Sequence, residues 1–303
     1  MNKFSTSGTE SSRCKICGLP EKYPFLEIES RYADIRTRSY KNYQCRNCGL
    51  IYVYPDPEEA DLEALYSGDD YLDFLFDNPG WRTWVQEKHW LPVLREIENR
   101  KGRGVILDVG CSDGLFMDFA GGRGWDVFGI DVNGEMLSLA GRKHGDHVQS
   151  GSAYEPGWPE GHFDVVRLCH VLEHLNAPAV ALGSLYRVLK PGGILSVGVP
   201  IFDDRVFSLL KKLPASKLRK NLIRLLAWMD PPHHLTTWST RSLGNALEKT
   251  GFEIVSKSYR SDIFPMIAKL RTRSLFFRVA GIYLKILGSG VFIEVLARKP
   301  VSK

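Results

Sequence analysis

From Val105 onward, short apolar runs alternate with segments whose apolar residues recur at helical spacing. The runs 105–109, 126–130, 147–150, Phe163–Cys169 and Ile194–Val199 are predicted strands. The segments between them, 114–123, 134–143 and 178–189, are predicted helices, the last stopped by Lys190-Pro-Gly-Gly193. Strand–helix alternation of this length predicts a parallel sheet covered on both faces. The alternation breaks at Pro200. Residues 205–229 read as one or two amphipathic helices split at Pro214, with Val206, Leu209, Leu210 and Leu213 and then Leu218, Leu222, Leu225 and Leu226 on their apolar faces. A helix over Ser239–Thr250, capped by Ser239 or Thr240 and stopped by Gly251, follows. Next come a strand over Phe252–Tyr259, a basic helical stretch over about 264–286, and a last strand, Val291–Ala297.

Upstream of Val105, Trp81, Trp84, Val85, Trp90, Leu91, Leu94 and Ile97 mark a helix to Arg100, with a kink expected at Pro92. Residues 58–76, with Tyr66, Tyr71, Phe74 and Phe76, read as a helix and turn. Nearer the start, Cys14-x-x-Cys17-Gly18 and Cys45-x-x-Cys48-Gly49 are two tight knuckles. Each places two thiolates on one side, and two knuckles complete a tetrahedron for structural Zn2+ with no open position. So short a segment has little core of its own, and metal ligation would supply much of its folding free energy. The expected organisation is a disordered polar segment 1–13, a zinc module 14–57, a helical connector 58–103, and an α/β domain 104–303 carrying insertions near 205–229 and 264–286.

Composition changes this picture only in part. With 303 residues, 44% hydrophobic and 25% charged, the chain reads as a soluble globular protein. It shows no apolar leader and no run long enough to span a bilayer, so a cytoplasmic location is expected. The net charge of +5 is uneven: Arg205–Trp228 holds seven basic residues and no acid, and Lys257–Lys285 seven against Asp262 alone. Such basic helices suit a solvated lid, contact with an anionic acceptor, or peripheral contact with the inner face of a membrane.

The candidate chemistry centres on Val105-Ile-Leu-Asp-Val-Gly-Cys-Ser-Asp-Gly-Leu-Phe116, followed by Trp125-Asp-Val-Phe-Gly-Ile-Asp131. A strand, a glycine turn, a helix and a second strand ending in an acid form a unit for an adenosine-type cofactor: Gly110 and Gly114 permit close backbone approach, and Asp131 can take both ribose hydroxyls. Ser112 stands where a G-x-G-x-x-G loop has its middle glycine, and no G-K-[ST] follows, so a phosphate-binding loop is not indicated.

These segments, with Phe163-Asp-Val-Val166, His170-Val-Leu-Glu-His174 and Leu189-Lys-Pro-Gly-Gly193, resemble class I S-adenosylmethionine-dependent methyltransferases, nearest the small-molecule branch with a V-L-E-H signature. Asp230-Pro-Pro-His-His-Leu-Thr-Thr-Trp-Ser239 resembles a later segment of that branch. The cysteine module followed by Gly49-Leu-Ile-Tyr-Val-Tyr-Pro55 is similar to the zinc-binding part of sugar C-methyltransferases. The resemblance implies a seven-stranded Rossmann-like sheet with its last strand antiparallel. It also implies an S-adenosyl-L-methionine site on Asp108, Gly110, Cys111, Gly114, Asp131, Val132, Ser152, Ala153 and His170. Asp108 and Gly110 would lie against the methionine part. Ser152 stands where many members have an acid for adenine.

If the acceptor must lose a proton, His174 and His234 are the candidate catalytic bases, with Glu173 and Asp230 orienting them; bracing a helix or a lid is the equally open structural role for each histidine. The implied acceptor is a small molecule, favoured as a sugar or a nucleotide- or lipid-linked sugar. Because no tyrosine precedes His233-His234, O-methylation stands beside C-methylation. The alternatives are an RNA base methyltransferase gripping RNA through the zinc module and basic helices, and a non-catalytic S-adenosylmethionine-binding protein. Basic charge far in sequence from the cysteines argues against the first.

Overall fold

The computed structural model describes residues 13–20, 22–29, 39–58, 79–202, 212, 233–260 and 292–301. The N-terminal segment 1–12, Tyr66, Tyr71, Phe74, Phe76, most of the basic stretch 205–229, Asp230-Pro-Pro232 and the stretch 264–286 lie outside them.

The main sheet has seven strands: β4 (Val105–Val109), β5 (Asp126–Asp131), β6 (Val148–Ser150), β7 (Phe163–Cys169), β8 (Leu189–Pro200), β10 (Glu253–Arg260) and β11 (Phe292–Arg298). Their spatial order is β10-β11-β8-β7-β4-β5-β6, and β11 alone runs against its neighbours, as expected for the closing strand. Alternate residues of each strand serve opposite faces. Ile106, Val165 and Ile194 pack with Trp90, Leu94, Ile97, Phe116 and Met117. Leu107, Val166 and Leu195 face the other way, onto Leu182, Leu185, Leu243 and Leu247. A strand buried on both faces needs a nearly continuous apolar run, which is what Val105-Ile-Leu supplies.

Six α-helices are described: α1 (Pro79–Val85), α2 (Leu91–Lys101), α3 (Leu115–Gly121), α4 (Gly134–His144), α5 (Pro178–Val188) and α6 (Thr240–Lys249). Helix α6 is capped by Ser239, whose side chain accepts from Ser242 N while the Ser242 hydroxyl accepts from Ser239 N. Where a kink is expected at Pro92, the helix carries a π-helical turn, Gln86–Trp90, just before it. Pro92 has no N–H and its ring crowds the preceding turn, so the helix widens there. Arg260 then donates to the Lys88 and His89 carbonyls at 3.0 and 2.9 Å. Helix α5 ends at Val188, directly before the stop signal Lys190-Pro-Gly-Gly193 as predicted, but that tetrapeptide is not a loop. It lies inside β8, because the segment after β11 pairs with it: Gly192 N donates to Lys299 O and Lys299 N to Gly193 O. Lys299 Nζ, by donating to the Tyr186 and Leu189 carbonyls, caps the end of α5.

The N-terminal cysteine segment forms β1 (Lys22–Glu29), β2 (Ser39–Cys45) and β3 (Ile51–Tyr54). Residues 14–57 do not complete their own sheet. Its fourth strand is β9 (Thr236–Thr237), paired with β3. Cys14, Cys45, Cys48, Leu50 and Tyr52 share one hydrophobic core with β7, β8 and α6. Buried Lys15 reinforces the junction, bonding Asp56 at 2.7 Å and also Asn176 beyond β7.

Candidate cofactor and acceptor site

The loops after β4, β5 and β7 gather at one edge of the parallel sheet, where ligands bind in open α/β folds. After β4 the chain turns at Gly110 (φ 76), Ser112 (φ 50) and Gly114 (φ 80). A Cβ at Gly110 would lie 2.6 Å from Val171 Cγ2, so a side chain there is excluded by contact as well as by φ. Gly110 N and Cys111 N both donate to Ile130 O, which ties this loop to β5.

Asp131 ends β5. Its Oδ2 accepts from Ser112 N and its Oδ1 from Asn133 N, each at 2.9 Å. Burial pushes the carboxyl above the usual carboxylate range, and the Asn133, Ser112 and Val132 N–H groups oppose that push. The acid is thus held across the mouth of the glycine loop. Ser112 takes left-handed backbone without being glycine, and its hydroxyl is buried with no partner among the described residues. A strained residue with an orphaned polar atom beside a fixed carboxylate fits a polar ligand such as a ribose-bearing cofactor. Val132 is 65% exposed next to Asp131, an apolar surface open to a flat ring. Ser152 and buried Ala153 follow β6 in a turn closed by a bridge to Glu155.

Asp108 and Cys111 point inward. Asp108 is 1% exposed, and Arg167 Nη1 donates to its Oδ1 at 2.6 Å. Burial pushes the Asp108 carboxyl up to about 6 and Arg167 opposes this, so the pair is ionised at neutral pH. The Arg167 guanidinium also lies 4.0 Å from the Phe116 ring centroid. Buried Glu294 accepts from Ser196 Oγ at 2.6 Å. Burial also holds the Cys111 thiol well above its usual range, in keeping with a small buried side chain rather than a nucleophile.

Beyond β7, His170 has a positive φ of 56 and its Nδ1 lies 3.3 Å from Glu173 Oε1. A 3₁₀ turn over Leu172–His174 brings His174 against the segment that precedes β9. His174, His233 and His234 have ring centroids 4.5 to 4.9 Å apart. Burial pushes the His174 imidazole down to about 4, so this ring is neutral at neutral pH. The structure therefore brings His174 and His234 together, and adds His233.

Arg167 and His89 had no signal in the sequence. His89 sits in the π turn, 6.1 Å from the Phe292 ring, with Nε2 buried and unpartnered among the described residues. Burial, aided by Arg260, His170 and Arg167, pushes its imidazole down to about 3. A histidine neutral when folded but protonated when unfolded loses stability as pH falls through its unfolded value, roughly 6.5. His89→Phe is expected to unfold near the wild-type temperature at pH 8 and above it at pH 5, read by thermal denaturation at both.

The four cysteine sulfurs also converge: Sγ of Cys14 and Cys48 are 3.4 Å apart, as are those of Cys17 and Cys45, and all four lie within 4.8 Å of one another. None forms a disulfide. A tetrahedron with zinc–sulfur bonds of about 2.3 Å has sulfurs roughly 3.8 Å apart, so the donor set fits Zn2+.

Strand order and loop geometry together define a Rossmann-like methyltransferase α/β fold. The family model described as a methyltransferase domain matches residues 81–257, and the chain belongs to that family. Among curated relatives, a ubiquinone biosynthesis O-methyltransferase of Pseudomonas paraeruginosa is 32% identical over 136 residues, covering 39% of this chain and 57% of that one. One from Thiobacillus denitrificans is 35% identical over 111 residues, covering 34% and 46%. The chain spans about half the length of these relatives. Among solved structures, a SAM-dependent methyltransferase from Archaeoglobus fulgidus matches with a TM-score of 0.52 at 22% identity, over 77% of this chain and 100% of that one. A Burkholderia thailandensis 1,6-didemethyltoxoflavin-N1-methyltransferase, with 1,6-didemethyltoxoflavin and S-adenosylhomocysteine bound, matches with a TM-score of 0.53 at 16% identity, over 90% of this chain and 100% of that one. At these identities the two structures support the fold.

Proposed function

We propose that the protein transfers the methyl group of S-adenosylmethionine to an oxygen of a small-molecule acceptor. The observation that carries this reading is Asp131, fixed by two backbone N–H groups across the glycine loop from the strained Ser112. The sulfonium of the cofactor supplies an already electrophilic methyl. The chain's task is to hold donor and acceptor in line and to exclude water. Asp131 takes the ribose hydroxyls. Gly110 and Gly114 let the loop approach the methionine part, and Cys111 and Asp108 support that loop from below. Val132, Ser152 and Ala153 meet the adenine, and His170 closes the β7 side. His174 and His234 meet the acceptor. Zn2+ on Cys14, Cys17, Cys45 and Cys48 is structural and braces β9, which follows the histidine segment directly.

The activity of the ubiquinone biosynthesis O-methyltransferases that the chain resembles supports oxygen as the methylated atom. The similarity of the cysteine module to sugar C-methyltransferases makes nucleotide- and lipid-linked sugars the acceptors to screen beside phenolic ones. No described helix is long and apolar enough to cross a membrane.

Isothermal titration with S-adenosylmethionine and S-adenosylhomocysteine, with NAD as control, tests the reading. Saturable binding of the first two alone is expected. Asp131→Ala should weaken it about ten- to hundredfold, the loss of charged hydrogen bonds worth roughly 1.5–3 kcal/mol. Unchanged affinity in this variant would refute the cofactor placement.

A further inference from the structure

His174, His233 and His234 each offer a ring nitrogen, and the three nitrogens lie within 4.8 Å of one another. Two further features point to what gathers them. The first is the hydrogen bond between His174 Nδ1 and the His233 carbonyl at 2.7 Å. A carbonyl only accepts, so Nδ1 carries the hydrogen and Nε2 presents its lone pair. A ring nitrogen anchored on a backbone carbonyl is how metal-binding histidines are usually oriented. The second is Glu173. It is 1% exposed; His170 Nδ1 lies 3.3 Å from its Oε1, while its Oε2 is buried with no hydrogen-bond partner among the described residues. Its Oε1 is 4.0 Å from His174 Nε2. A buried carboxylate with one oxygen unpaired is costly, and a cation beside it offsets that cost.

We propose that His174 Nε2, His233 and His234 bind a divalent transition-metal ion, with Glu173 as the carboxylate that balances its charge. Imidazole nitrogens favour zinc, copper, iron, nickel and cobalt over magnesium or calcium. This centre differs in kind from the four-thiolate site. Three nitrogens leave a position open, whereas four sulfurs do not. Its meaning for catalysis rests on the methyl-transfer reading above. The metal would lower the pKa of an acceptor hydroxyl at its open position, which would release its proton to solvent as it binds, before the site closes on the donor. The resulting oxygen takes the methyl as the carbon–sulfur bond breaks and the sulfonium becomes a neutral thioether. On this account His174 and His234 act as ligands, and neither is the base.

The test uses the full chain, with one zinc per chain in the thiolate site as confirmed by native mass spectrometry, titrated with cobalt(II). One further equivalent is expected, with visible d–d absorption and no thiolate-to-metal charge-transfer band. His233→Ala and His234→Ala should each weaken that binding by at least about tenfold, while S-adenosylmethionine still binds. No second equivalent, or cobalt binding unchanged in both variants, overturns the proposal. Should the variants fail to fold, copper(II) on the wild-type chain decides by electron paramagnetic resonance: nitrogen hyperfine splitting supports the site, and its absence refutes it. Cofactor binding separates the two readings. A second cobalt without S-adenosylmethionine binding keeps the metal centre and sinks methyl transfer; the reverse sinks the metal centre alone.

Discussion

Stripping the zinc proposed for the four cysteines, or replacing Cys45 and Cys48 with serine, is expected to destabilise far more than the cysteine segment. Apparent binding free energy at structural zinc sites is on the order of 10 kcal/mol, and much of it is folding free energy. Here the knuckles do not hang from a linker. Cys14, Cys45 and Cys48 are buried in the core that also holds Leu243 and Leu247 of α6 and Val197 of β8. Arg241 donates to Asn47 O, and Asn245 to Cys48 O, so α6 reads the second knuckle directly. Without metal, four thiols, three of them buried, face one another. The Cys48 contact and burial both hold the Cys14 thiol well above its usual range, so it keeps its proton. Thermal unfolding of the chelator-treated protein should therefore begin well below that of the zinc-loaded one. Hydrogen exchange should rise in β3, β9 and α6 together. A fall in protection confined to residues 14–54 would mean that the cysteine segment is an independent unit.

The second large effect is expected at Arg167. Arg167→Met keeps most of the side-chain volume against Phe116 but leaves Asp108 buried without its counter-charge. Removing one partner of a buried pair typically costs about 3–5 kcal/mol, because the remaining charge stays desolvated. Urea denaturation should show that loss. Adding Asp108→Asn to Arg167→Met should recover part of it, since the double change leaves no buried charge. If the single variant unfolds like wild type, water reaches the pair and the ion pair is not what holds the β4–β7 edge.

The strand–helix alternation from Val105 to Val199 was legible because its signals are local: apolar runs of strand length, glycine turns and helix stops need only neighbours in sequence. The glycine loop, Asp131 and the two C-x-x-C pairs were legible for the same reason. The start of β8 at Leu189 rather than Ile194 was not legible, because the partner of Lys190–Gly193, Lys299, lies far along the chain. The π turn at Gln86–Trp90 had a local cause in Pro92, but Arg260, from β10, supplies the donors for the carbonyls of that turn.

The sequence by itself determined the class of fold, the glycine loop, the acid opposite it and the four-cysteine donor set. Only the tertiary structure decided how these join. It placed Thr236–Thr237 in the cysteine sheet, turned Asp108 inward onto Arg167, and set His233 and His234 against His174 beside a buried carboxylate. The physical reason is range. Periodicity and turn chemistry act over a few residues, whereas burial, ion pairing and ligand convergence depend on strands that meet only when the chain has folded.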